Sequence, residues 1–165
     1  MNARRWRRRA GSRGQGLVEF ALIVPMILLL LFAVIDLGRA VYVYNTVSQA
    51  ARSAGRTAMV NQERAKIRTS AIKAAPTLGL TTSNVTICFK DAGTDERDCD
   101  EGFVDTCRRS ERVVGCLAIV VVRTTYRPIT PVIAQLFSGF SMSATSVVAV
   151  EYVCPARTAT TSTCI

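Results

Sequence analysis

Two kinds of residue in this chain carry chemistry that type and spacing reveal: six cysteines, and one carboxylate set inside a long apolar run. The cysteines, Cys88, Cys99, Cys107, Cys116, Cys154 and Cys164, all follow the apolar run, at successive spacings of 11, 8, 9, 38 and 10. Zinc needs closely spaced thiolate and imidazole ligands. The chain has no histidine and no Cys-x-x-Cys pair, so no metal site is expected. An even cysteine count beyond a membrane-length segment fits disulfides formed in an oxidising compartment, with all fifteen pairings open. The acidic stretch 91–115 invites a calcium reading, but Asp98 and Asp100 are followed at the next alternate position by Gly102, and no register completes an EF-hand loop. A solvated hairpin tip pinned by Cys99 and Cys107 is the simpler expectation. Without histidine, and without a Gly-x-Ser-x-Gly elbow, phosphate loop or dinucleotide fingerprint, no catalytic residue and no cofactor emerges. Lys66, Lys73 and Lys90 read as surface charges. The chain is not expected to be an enzyme.

The carboxylate is Glu19. From Leu17 to Leu37 the only charged residues are Glu19 and Asp36, and Phe20 to Ile35 is sixteen uncharged residues. Twenty-one residues at 1.5 Å each span about 31 Å, roughly one hydrocarbon core. A charge inside such a span costs about 2.5–3.5 kcal/mol on insertion scales, so Glu19 calls for an explanation. Before it stand six arginines, Arg4, Arg5, Arg7, Arg8, Arg9 and Arg13, with no acid in residues 1–14. The net charge is +9, so the other 151 residues carry only +9 − 6 = +3. A basic block that leads straight into an apolar helix is a topology signal that keeps its flank cytoplasmic, rather than a nucleic-acid arm. Trp6 then belongs at the lipid interface.

The elements that must position these residues follow from periodicity. Ala40, Val41, Tyr44, Val47, Ala51, Ala54 and Ala58 recur at steps of three and four. One helix is therefore expected from about Gly16 to Val60, longer than about 60 Å, membrane-bound in its first half and projecting in its second. Pro25 removes one backbone donor inside it, which a membrane helix tolerates and at which it can bend. A cleaved secretory signal fits less well, because Arg39 separates the small residues Gly38 and Ala40 and the helical pattern continues past them. Small residues at Ala50, Ala51, Ser53, Ala54 and Gly55 permit close packing, against the protein's own sheet or against neighbouring copies. Residues 61–75 read as a shorter helix ended by Pro76 and Gly79. Runs 84–90, 115–127 and 142–154 are rich in β-branched and aromatic residues and read as strands, with 128–140 a crossover connection. The tail 155–165 reads as extended, tied back by a Cys154–Cys164 link. The expected fold is α+β: a basic leader (1–14), a long helix (15–60, membrane span about 17–37) and a small extracytoplasmic domain (61–165) with a roughly three-stranded antiparallel sheet and disulfides.

Gly14, Gln15, Gly16, Leu17, Val18 and Glu19 stand in an order that gives the carboxylate a meaning. A cut after Gly14 removes the arginine-rich leader and leaves Glu19 as the fifth residue. This resembles the class III signal of type IV pilins. Residues 13–58 look more closely like the TadE-like family of pseudopilins from tight-adherence pilus systems, and 126–152 resemble that family's C-terminal part more weakly. Residues 91–115 and the cysteine-rich tail match nothing in it. The resemblance implies a single-pass protein of a prokaryotic cytoplasmic membrane, with its N-terminus cytoplasmic and its domain extracytoplasmic or incorporated into a pilus. It implies prepilin peptidase as processing partner, with Gly14 before the cut and Gln15 the new N-terminus. It also implies Glu19 as assembly carboxylate, and as further partners other pilin subunits, the assembly platform and membrane lipid. Cyclisation of an N-terminal Gln15 would remove the amine that could meet Glu19. The competing reading is an anchored extracytoplasmic binding protein that keeps its leader, with Glu19 merely at the water edge of the span.

Overall fold

The computed structural model of the protein describes residues 14–91, 99, 105, 107, 116–136 and 139–151, with the backbone alone for residues 132 and 136. Residues 1–13 of the leader, the acidic pair Asp98 and Asp100, and Cys154 and Cys164 lie outside the described residues. Helix α1 runs unbroken from Gln15 to Val60, through Pro25. At 1.5 Å per residue it is about 69 Å long. It carries two different surfaces in series. Up to Ile35 its apolar side chains stand free of the rest of the protein, whereas Val43, Val47, Ala50, Ala51, Ala54, Gly55 and Ala58 are buried.

After α1, residues 61–63 reverse the chain. The Asn61 side-chain oxygen accepts from the Glu63 backbone N–H at 2.9 Å, a local turn that competes with helix. Helix α2 (Arg64–Ala74) returns along α1 and buries Ile67 and Ala71. Ser53, Thr57 and Ser70 bond to one another across the two helices. Pro76 opens a 3-10 turn to Leu78. Strands β1 (Val85–Lys90), β2 (Leu117–Tyr126) and β3 (Phe140–Ala149) then form an antiparallel sheet in the order β1-β2-β3.

The strands show why their sequences differ. Central β2 is buried on both faces from Ala118 to Val122, hence its continuous apolar run. Ala118, Val120 and Val122 share the main core with α1, α2 and the Val85, Ile87 and Phe89 face of β1. Ile119 and Val121 face the other way, with Cys88 and Cys99. Edge strand β3 alternates half-buried and exposed positions, with Met142, Ala144 and Val148 packed against the core. The opposite edge is covered. The Phe89 N–H donates to Asp105 Oδ1 at 3.1 Å, the Cys107 N–H donates to the Phe89 carbonyl at 3.4 Å, and Asp105 pairs with Arg64 at 2.7 Å.

The α+β fold with a long N-terminal helix and a three-stranded antiparallel sheet is as expected, with three corrections. First, Lys90, expected as a surface charge, is buried at the end of β1, at 2% exposure. Of the pairings left open, the cysteines take Cys88–Cys99 and Cys107–Cys116, so Cys99 and Cys107 each tie the segment between β1 and β2 back to the sheet. The period-two alternation of a strand decides this. Cys88 points to the face of the sheet away from α1 and takes Cys99 with it, while Cys107 and Cys116 belong to the core on the α1 side. Second, residues 127–139 are not a crossover: they join adjacent antiparallel strands, and hold the short helix α3 (Pro131–Leu136). Third, β3 spans Phe140–Ala149, so it starts before residue 142 and residues 150 and 151 lie past its end, while 152–154 of the expected strand lie outside the described residues. The Glu151 N–H turns to donate to the Met59 carbonyl at 3.1 Å, so the chain leaves the sheet to close the end of α1.

Candidate functional site

The residues to be placed are Gly14, Gln15 and Glu19. Gln15 is the first helical residue, and the Gly14 carbonyl accepts the first helical bond from the Val18 N–H at 3.2 Å. No side chain caps this end, and nothing lies within 4 Å of where a Gly14 Cβ would stand. The Gly14–Gln15 peptide is thus the junction at which helix begins, and among the described residues it is exposed. Glu19 lies one turn in, on the exposed surface. No ion pair joins it to another described residue. The α1 helix is long and apolar enough to cross a membrane, and no residue of its most apolar stretch is buried among the described residues. That fits a single-pass anchor. Backbone polar groups satisfied within one helix are what a lipid interior requires.

The small-residue surface at Ala50, Ala51, Ser53, Ala54 and Gly55 has a different fate. It packs on the protein's own sheet and on α2. A Cβ on Gly55 would run into the Ser146 hydroxyl and stand 3.2 Å from Ser146 Cβ and 3.4 Å from Val148 Cγ1. The absent side chain lets α1 approach β3 closely. Of the two packing options for this face, the protein's own sheet takes it, which leaves the apolar half of α1 as the surface open to lipid or to other helices.

Sequence reasoning treated Asp36 only as a charge at the end of the apolar run. In the fold it is 6% exposed and holds the end of the domain nearest the apolar half of α1 to the helix. Its Oδ1 accepts from the Ile129 N–H and its Oδ2 from the Thr130 N–H, both at 3.1 Å. The Tyr126 hydroxyl donates to the Asp36 backbone carbonyl at 2.8 Å and more weakly to Oδ1 at 3.4 Å. Burial, and then the Asp36 charge, push the Tyr126 phenol above its ordinary value, so it stays protonated and keeps donating. Arg39 donates to the Arg127 carbonyl at 3.3 Å and lies over the Tyr126 ring, 5.7 Å from its centroid. Gly139 closes the connection at φ +112°, where a Cβ would stand 2.8 Å from the Tyr126 carbonyl, so only glycine fits. A carboxylate that accepts backbone N–H groups from a segment more than ninety residues away is a fixed hinge pin, not a mobile surface charge. The one signal in the sequence was a second acid at the end of the apolar run, where an acid needs a reason.

The family model described as TadE-like protein matches residues 14–56. The match begins at the helix junction and ends within the last turns of α1, so it takes in the apolar half and most of the packed half and none of the sheet. The weaker likeness over 126–152 lies outside it. No curated protein and no solved structure matches the chain.

Proposed function

We propose that this chain is a minor pilin or pseudopilin of a tight-adherence pilus or secretion system. A prepilin peptidase cuts it after Gly14, and it assembles through the membrane half of α1. The observation that carries this reading is the coincidence of two boundaries at one peptide, with a carboxylate at a set distance: the family match begins at Gly14, the helix begins at Gln15, and exposed Glu19 stands four residues beyond Gln15. The chain sits with its basic flank in the cytoplasm and its disulfide-bonded domain outside. Cleavage creates an α-amine about 6 Å along the helix from Glu19. A buried carboxylate in lipid is costly unless a positive partner meets it, so the amine of a neighbouring subunit meeting Glu19 would set the register between packed helices. Because the protein's own sheet occupies the small-residue face beyond residue 43, the contacts that build an assembly fall to residues 17–35. Nothing in this role requires catalysis by the chain itself.

The test is the intact mass of the protein from its native membrane. A species beginning at Gln15 is expected, and Gly14→Leu should keep all of residues 1–14. A full-length wild-type protein in cells with active prepilin peptidase would refute the cut and favour an anchored binding protein. Glu19→Ala should insert normally but be lost from sheared filaments, and normal incorporation would contradict the role given to that carboxylate.

A further inference from the structure

We propose that the membrane-proximal end of the folded domain contacts phospholipid directly: Ile129 and Phe140 enter the boundary between headgroups and acyl chains, and Arg39 and Arg127 lie beside lipid phosphates. The proposal rests on the membrane-anchor reading of α1 and goes beyond it.

The Asp36 pin sets the height. Asp36 is the second-last residue of the apolar run, and its carboxylate holds the backbone N–H groups of Ile129 and Thr130 at 3.1 Å. Ile129 therefore sits level with the end of the span, within about one helical turn. Phe140 is held to the same level, its ring 5.3 Å from that of Tyr126, whose hydroxyl rests on the Asp36 carbonyl. Both side chains are open, at 65% and 48% exposure.

Single exposed apolar residues are ordinary on a protein surface. Their distribution here is not scattered. Beyond Leu37, seven large apolar side chains are exposed among the described residues, and five of them, Val41, Tyr42, Tyr44, Ile129 and Phe140, stand at the membrane-proximal end; Val60 and Val147 are the exceptions. Two separate parts of the chain, the helix just past the span and the β2–β3 connection, thus bring apolar and aromatic groups to within about 12 Å of Asp36 along the helix axis. That is the composition of a membrane–water interface. Arg39 and Arg127 are exposed at the same end and have the sign and the reach to meet phosphates. The occupant is accordingly lipid, continuous with the surface that the apolar half of α1 already offers. The pin does more than orient the domain: it presses this end against the bilayer.

The experiment uses the full-length chain in phosphatidylcholine–phosphatidylglycerol vesicles, with Trp6→Phe removing the one native tryptophan. Single tryptophans are placed by Leu29→Trp, Ile129→Trp, Phe140→Trp or Thr145→Trp, and quenching by lipids brominated near the headgroup or deep in the chain is measured. Thr145 is exposed and neighbours Ser146, which meets Gly55, about 28 Å along α1 from Asp36. The expected result is blue-shifted emission quenched by shallow bromines for Ile129→Trp and Phe140→Trp, deep quenching for Leu29→Trp, and none for Thr145→Trp. Arg127→Glu should weaken the quenching at Ile129→Trp. Quenching at Leu29→Trp with none at Ile129→Trp or Phe140→Trp would overturn the lipid contact and leave the anchor standing. No quenching at Leu29→Trp would overturn both.

Discussion

Gly55→Ala isolates the closest approach in the fold, and its effect can be worked from distances. Alanine in place of a mid-helix glycine gains about 0.8–1.0 kcal/mol of helix propensity. At Gly55 the added methyl meets the Ser146 hydroxyl, stands 3.2 Å from Ser146 Cβ and 3.4 Å from Val148 Cγ1. The hydroxyl can rotate away, and Val148 Cγ1 stands at the edge of ordinary contact, but Ser146 Cβ is fixed to the backbone of β3 and moves only with the strand. Such overpacking costs about 1–3 kcal/mol. Gly38, in the same helix, has nothing within 4 Å of a Cβ, so Gly38→Ala keeps the propensity gain without the clash. The difference between the two variants is thus the steric cost alone, about 1–3 kcal/mol against Gly55→Ala. Equilibrium unfolding of the full chain in detergent micelles, followed by circular dichroism, reads it. One kcal/mol moves the midpoint by about 4–8 °C in a domain of 60–100 residues. Adding Ser146→Ala to Gly55→Ala should recover part of the loss, with a coupling of about 0.5 kcal/mol or more. If Gly55→Ala proves as stable as Gly38→Ala, α1 does not lie as close to β3 as described and the packing argument fails.

Asp36→Ala should speed hydrogen exchange at the backbone amides of Ile129 and Thr130 and leave the centre of β2 unchanged, while Tyr126→Phe, which spares those two bonds, should have a smaller effect; unchanged exchange in Asp36→Ala would show that the carboxylate does not hold the connection. Peptide mapping of the unreduced protein should yield Cys88–Cys99 and Cys107–Cys116 links, and a Cys99–Cys107 peptide would refute the assignment of these residues to opposite faces of the sheet. Each bridge closes a short loop, of sequence separation 11 and 9. Removing either pair by Cys→Ser replacement should cost about 3 kcal/mol of stability by the chain-entropy estimate, read by denaturant unfolding.

The length of α1, the exposure of its apolar half, the helical return over 64–74 and the three strands were legible in the amino-acid sequence because each depends on near neighbours. An apolar run excludes other partners by its own composition. A period of 3.6 or 2 is complete within a dozen residues, and Pro76 and Gly79 act on the backbone where they stand. The positions of Gly14, Gln15 and Glu19 were legible for the same reason, since their spacing is local. What only the tertiary structure decided was which distant groups share a place. The small-residue face of α1 was equally suited to a neighbouring copy or to the protein's own sheet until β3 took it through Gly55 and Ser146. The cysteine pairing required knowing which face of the sheet each thiol joins, because loop spacing does not distinguish among the pairings. Asp36 was the least legible of all. Its partners Tyr126, Ile129 and Thr130 lie 90 to 94 residues away. No local pattern marks a carboxylate for two backbone N–H groups that arrive only when β2 has been laid against the helix.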